Sequence, residues 1–336
     1  MKNKIFIFVS IAILFLTACG KNETGTTGND IDPKLQKVSL MLDWYPNAVH
    51  SFLFAAKEKG YFKEQGLNVE IQMPADTNDP LRLVAAEQID IAISYQPQVI
   101  VARGEDIPVQ SFGALVRQPL SQLMIHADSP IQIPKDLAGK TIGYSSIPLY
   151  EAIIQTMVKK DGGDINKVKM VDIGWDLIPA MATKKTDAII GGFINHEKIL
   201  LEKEGYPIRL INPSDFGVPN YYELVLVGSE SGLKEKPEVF NKFLAAITKG
   251  QQFVQDHPEA GLDLLMKHED KTSPLEKEIE EKSLEILLPL MDANDKPFGY
   301  QDLATWTEVS QWLYDNKVIK NQVKPEDAFI NFQVGS

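Results

Sequence analysis

Apolar residues along the chain fall first into one short block and then into a long alternation of brief runs and helical stripes. The block runs from Ile5 to Leu16, follows the basic residues Lys2 and Lys4, and is broken by Thr17 and Cys19. A membrane-spanning helix needs about 20 apolar residues, so this one is too short to span and has the layout of an export signal. Residues 21–30 contain no apolar side chain and two glycines. Such a stretch has nothing to fold around and reads as a tether.

Beyond the tether the pattern predicts strand, helix and strand in repeated order. Strands are expected over 37–42, 68–72, 89–93, 109–115, 123–125, 168–171 and 188–191, with helices over 50–59, 79–87, 149–160 and 177–183 between them. Gly60 closes the first helix. An apolar run over 222–228 predicts a buried strand that carries the chain back to where it began. The remainder reads as helices over 237–257, 258–267, 274–288 and 302–316. This alternation predicts an α/β fold with parallel sheets and crossover helices. Some 300 residues exceed what one core usually serves, so two lobes are expected. We place lobe 1 at 37–123 plus 224–336 and lobe 2 at 124–223.

Charge and cysteine usage narrow the partners. The formal charge is −12, and removal of residues 1–18 takes Lys2 and Lys4 but no acid, leaving −14. That balance disfavours nucleic acid, which needs clustered Lys and Arg. Cys19 is the only cysteine, so a disulfide within the chain or a thiolate metal cluster is ruled out. Leu16-Thr17-Ala18 before it and Gly20 after it resemble the lipobox of bacterial lipoproteins. The resemblance implies cleavage after Ala18, lipidation of Cys19 and anchoring on the extracytoplasmic face of the cell membrane. Two or three acyl chains hold a protein there stably.

Several stretches together resemble the periplasmic-binding-protein-like domains of the thiamine pyrimidine biosynthesis family, which includes ThiY-type transporter lipoproteins. They are Asp43-Trp44-Tyr45-Pro46-Asn47 with His50, then Gly60-Tyr61-Phe62, Asp90-Ile91-Ala92-Ile93-Ser94-Tyr95, Asp136-Leu137-Ala138-Gly139-Lys140, Asp187 to Gly192, and Tyr221-Tyr222-Glu223. The Gly-Tyr-Phe turn and the Asp-Leu-x-Gly-Lys stretch are similar to those of many type II binding proteins. The aromatic cluster with His50 is the narrower signal. The resemblance implies a two-lobed type II periplasmic-binding-protein fold, a ligand cleft between lobes and a hinge of two crossing strands. It also implies a monomer that delivers a small molecule to an ABC permease and its ATPase, with no cofactor.

Open α/β sheets place ligand contacts at the carboxyl ends of strands. Trp44 and Tyr95 fall just past such ends, and an indole or phenol face can stack on a flat ring. The polar neighbours Asp43 and Asn47 suit a cleft better than a core. Glu223 is the leading candidate to grip an aminopyrimidine, since a carboxylate engages a protonated ring nitrogen and its adjacent amine by a bidentate pair. A solvated glutamate at a strand edge is the competing reading. Either Tyr221 or Tyr222 is expected to stack opposite Trp44, and alternation along a strand leaves open which one. Asn47, His50 and Asn195 complete the candidate set, although His50 fits a helix-packing role equally well. The Gly191-Gly192 pair offers backbone amides to a ligand or simply makes a tight turn.

An enzyme is the main alternative class. Fungal relatives of this domain act as pyrimidine synthases and carry a cysteine-rich iron-binding motif that this chain lacks. The five histidines show no metal spacing, and His196-Glu197 lacks the partner of a zinc protease motif. Other small organic ligands, riboflavin among them, remain open. Sulfonates or nitrate would favour arginine or helix amino ends, whereas the cluster here is aromatic and acidic.

Overall fold

The computed structural model describes residues 35–332. The expectations for residues 1–34, including lipidation of Cys19, lie outside them. Two five-stranded sheets organise the chain. The strands are β1 (Gln36–Met41), β2 (Leu67–Gln72), β3 (Ile91–Ser94), β4 (Val109–Val116), β5 (Leu123–His126), β6 (Thr141–Tyr144), β7 (Lys169–Asp172), β8 (Ala188–Ile190), β9 (Ile208–Ile211) and β10 (Leu224–Ser229). The first sheet has the order β2-β1-β3-β10-β4, and the second β7-β6-β8-β5-β9. In each, the three leading strands are parallel and one antiparallel strand lies fourth.

That fourth strand records the route of the chain. β5 enters the second sheet directly after β4 leaves the first, and β10 returns to the first sheet after β9. All six residues of β10 are buried because it is paired on both sides, which explains its unbroken apolar run. The two crossings, near 117–122 and 217–223, are irregular, with bends and a turn, and outside the isolated bridge of Ser121 to Phe193 they are not strand-paired. The expected hinge of crossing strands is therefore a pair of irregular segments, joined by backbone bonds from Leu120 and Ser121 to the Glu223 carboxylate.

The C-terminal helices pack largely on lobe 1. The helix Pro237–Asp256 buries Val239, Phe240, Phe243, Leu244, Ile247 and Val254, a stripe at helical spacing. It crosses the helix Ser51–Glu58 so closely that a Cβ on Gly250 would stand 2.2 Å from the Phe52 carbonyl oxygen. The helix expected over 274–288 runs instead over Lys277–Met291 and includes Pro289. A proline this near the end removes one intrahelical bond without stopping the last turn. The elements without a counterpart in the sequence expectations include β9 and the helices Glu197–Lys203, Glu230–Glu235 and Pro325–Ala328. Among the described residues no helix is long and apolar enough to cross a membrane.

Candidate binding site

The carboxyl ends of the strands in both lobes converge on the interlobe cleft. Asp43, Trp44 and Asn47 follow β1, and Tyr95 follows β3. From the other lobe come Ser145 after β6 and Gly191, Phe193, His196 and Glu197 after β8. Together they line a pocket whose enclosed volume is about 20 Å³. That is room for about one water molecule. At its mouth Trp44 meets Trp175 of the loop after β7, with ring centroids 3.9 Å apart and planes at 40°. Tyr45 touches His196 edge-on at 5.6 Å. These two aromatic pairs bring the lobes together in a closed arrangement.

Gly191 is constrained by this closeness. Its φ is +99°, and a Cβ there would lie 2.8 Å from both Ser145 Oγ and Tyr150 Cε2. Its amide donates to Ser121 Oγ at 3.0 Å, so it ties the pocket wall to the hinge rather than facing a ligand.

Buried charge dominates the electrostatics. His50 accepts the Asn47 amide at Nδ1 (3.3 Å), which leaves Nε2–H to donate to Asp43 Oδ1 at 2.9 Å. The Tyr95 hydroxyl donates to the other Asp43 oxygen at 3.5 Å. Across the cleft Glu197 accepts from His196 Nδ1 at 3.0 Å and from the Phe193 amide at 2.8 Å. Burial opposes both charges of this pair. The mutual attraction and hydrogen bonds win, holding Glu197 below the usual carboxylate range and His196 above the usual imidazole value. Burial, reinforced by the charge of Asp43, pushes the Tyr95 phenol well up. No Lys or Arg lines the pocket.

The structure distributes the eight candidate residues unevenly. Trp44, Asn47 and Tyr95 line the pocket. His50 is fully buried behind them and orients Asp43. Asn195 donates to Ser283 Oγ at 2.9 Å, away from the pocket wall. Glu223 is not at the wall either: it is fully buried, and one oxygen accepts the Leu120 and Ser121 amides at 2.6 and 3.0 Å. Tyr221 is buried with a hydroxyl that has no hydrogen-bond partner. The Tyr222 hydroxyl donates to Asp302 Oδ2 and accepts the Asp302 amide, on the C-terminal side of lobe 1. Neither tyrosine packs against Trp44; Trp175 does, with its ring tilted by 40°. The sequence reading missed Glu197, Phe193, Ser145 and Trp175, although all four follow strand ends by the rule that found Trp44.

Comparison with known proteins agrees with this arrangement. The family model described as NMT1/THI5 like matches residues 47–261. The chain belongs to the NMT1/THI5-like family. Within that family it is 43% identical over 98% of both chains to the formylaminopyrimidine-binding protein of Halalkalibacterium halodurans. It is 25% identical, over 88% of its length and 91% of the relative's, to a 4-amino-5-hydroxymethyl-2-methylpyrimidine phosphate synthase of Legionella pneumophila. This NMT1/THI5-like chain thus stands with the binding proteins and not with the enzymes. The alkanesulfonate-binding protein SsuA from Xanthomonas axonopodis pv. citri shares the fold, with a TM-score of 0.68 at 12% identity, covering 89% of this chain and 99% of its own. The family member described here therefore has the two-lobed type II periplasmic-binding-protein fold. Among its described residues no group of three or more His, Cys, Asp or Glu is arranged to hold a metal ion.

Proposed function

We propose that this protein captures a thiamine-precursor pyrimidine, of the formylaminopyrimidine or hydroxymethylpyrimidine type, and hands it to the permease of an ABC importer. The observation that carries the reading is a pocket with aromatic faces on Trp44, Tyr95 and Phe193, buried carboxylates on Asp43 and Glu197, and neither lysine nor arginine in its lining. A protonated aminopyrimidine answers each part. Its flat ring stacks on indole or phenol, and its adjacent ring N–H and amine match a carboxylate in a charge-assisted pair. We assign that role to Glu197 because it stands in the pocket wall, where it also accepts from His196 and the Phe193 amide, whereas Glu223 is outside the lining, with one oxygen on the hinge amides and the other without a partner. The likeness to a formylaminopyrimidine-binding protein supports the same ligand class.

The two-lobed fold supports delivery: a ligand held by both lobes favours the closed form, which a permease can distinguish from the open one. The lipidated Cys19 would keep the receptor, as a monomer, near that permease on the extracytoplasmic face.

Calorimetric titration of residues 20–336 with formylaminopyrimidine, hydroxymethylpyrimidine, thiamine and riboflavin tests the reading. Micromolar or tighter binding of a pyrimidine precursor, lost by at least about tenfold in Glu197→Gln, is expected. Binding of riboflavin alone would change the cargo. Wild-type affinity in a folded Glu197→Gln protein would remove Glu197 from the contact.

A further inference from the structure

The helix Lys277–Met291 belongs to the C-terminal segment, yet one of its side chains touches both walls of the pocket. Glu280 is 1% exposed. Its Oε2 accepts the Ala48 amide at 2.6 Å, one residue past the pocket-lining Asn47. Its Oε1 faces His196 Nε2 at 3.9 Å, within ion-pair range but too far for a hydrogen bond. The opposite nitrogen of the same ring, Nδ1, donates to Glu197. Glu280, His196 and Glu197 therefore stand in a row, carboxylate, imidazole, carboxylate, reaching from the helix to the pocket wall.

We propose that Glu280 is a positioning residue for the pocket, holding His196 charged and fixed against Glu197 once the lobes have closed. The proposal rests on the reading of Glu197 as the ligand's carboxylate. A buried carboxylate is costly unless paired. Glu280 stays paired with the Ala48 amide in lobe 1, and closure brings a second partner, the lobe 2 imidazole. Burial raises the Glu280 carboxyl, and the charge of His196 and the Ala48 amide work against that rise; with both glutamates ionised, the row carries two carboxylates and one imidazolium, leaving one negative charge for a cationic ring to neutralise.

The groups facing His196 are Glu197, the first residue of the helix that follows it, Glu280 on Lys277–Met291, and the Tyr45 ring from the loop after β1. The neighbouring Asp43–His50 pair belongs to that same lobe 1 loop. Burial opposes the imidazolium, and the two glutamates together outweigh it. Two further polar links join the same elements, Asn195 with Ser283 and Lys203 with Glu276, and neither touches His196.

The test compares Glu280→Gln with Glu276→Gln in residues 20–336. Gln keeps an acceptor for the Ala48 amide and removes only the charge. NMR titration of the His196 ring without ligand is expected to show its midpoint lowered by about one pH unit in Glu280→Gln and unmoved in Glu276→Gln. Calorimetry at neutral pH is expected to show about fivefold weaker binding of formylaminopyrimidine in Glu280→Gln only. An unmoved His196 midpoint in Glu280→Gln, or an equal shift in Glu276→Gln, overturns the proposal. If Glu280→Gln does not fold, Glu280→Asp draws the charge back by one methylene and is read by the same midpoint. A wild-type protein that binds no pyrimidine defeats the proposed ligand, while the His196 titration still decides the coupling.

Discussion

Trp44 of lobe 1 and Trp175 of lobe 2 face each other across the cleft mouth at 3.9 Å between ring centroids. Aromatic layers in contact are about 3.5 Å apart, so a ring inserted between the two indoles requires roughly 7 Å. The pair is thus closed on itself, and admitting a ligand ring must part it. Either the ligand then lies between the indoles or it lies deeper, beside Tyr95, with the indoles closed above it. Both arrangements change the surroundings of two of the chain's four tryptophans. Ligand addition is expected to change intrinsic tryptophan fluorescence, and Trp175→Ala to weaken binding about tenfold with an unchanged melting temperature. Full affinity in Trp175→Ala would remove that indole from the site.

The Asp43–His50 pair leads to a second prediction. His50 accepts a backbone amide at one nitrogen and so presents its proton to Asp43 at the other. His50→Ala leaves a buried carboxylate without that donor, at a cost on the order of 1–3 kcal/mol. His50→Gln retains an acceptor and a donor on a different frame. We expect His50→Ala to lower both the melting temperature and the pyrimidine affinity, and His50→Gln to recover part of each. Equal losses in the two variants would show that ring shape, not the donor, matters.

The fold was readable because apolar runs and turns map directly onto sheet order. The 222–228 run belonged to a central strand, and its uninterrupted apolar character said so. The site was only half readable, for a physical reason. A strand-end rule gives the neighbourhood but not the direction of each side chain, and Tyr221, Tyr222 and Glu223 sit where the chain crosses between lobes. There Glu223 meets backbone amides of residues a hundred positions earlier, a partner that local pattern does not encode. In sequence His196-Glu197 resembles only a fragment of a metal motif, and its ion pair emerges when the fold buries both side chains together. The role of Glu280 depends on a helix folding back over both lobes, which the pattern of its own segment does not reveal.

Gly250 separates stability from binding. The carbonyl of Phe52 stands 2.2 Å from where a Cβ would be, so Gly250→Ala must push two packed helices apart. Overpacking of this kind typically costs about 1–3 kcal/mol. The contact lies away from the pocket wall. Gly250→Ala is expected to melt several degrees lower, about as far as that energy implies, and to bind ligand with wild-type affinity at temperatures where it is folded. A loss of affinity in the folded variant would mean that these helices govern lobe closure.

Glu223 gives the clearest dependence on pH. Burial raises its carboxyl from the ordinary 4.5 to about 7, against the lowering influence of the two backbone amides, with the Asp43 charge adding to the rise. A carboxyl whose folded value lies above its unfolded one binds more protons folded than unfolded between pH 4.5 and 7. Stability from this group is therefore greatest below about pH 4.5 and falls as pH rises through about 7, by on the order of 3 kcal/mol in all. Other groups titrate in the same range, so the difference between wild type and Glu223→Gln isolates it. Gln still offers an oxygen to Leu120 and Ser121 but never ionises. Denaturant unfolding is expected to show Glu223→Gln gaining on wild type as pH is raised from 4.5 to 8, with no further change above that. A gap that stays constant, or closes with rising pH, would mean that Glu223 is charged in the fold at low pH and that its unpaired oxygen finds a partner there.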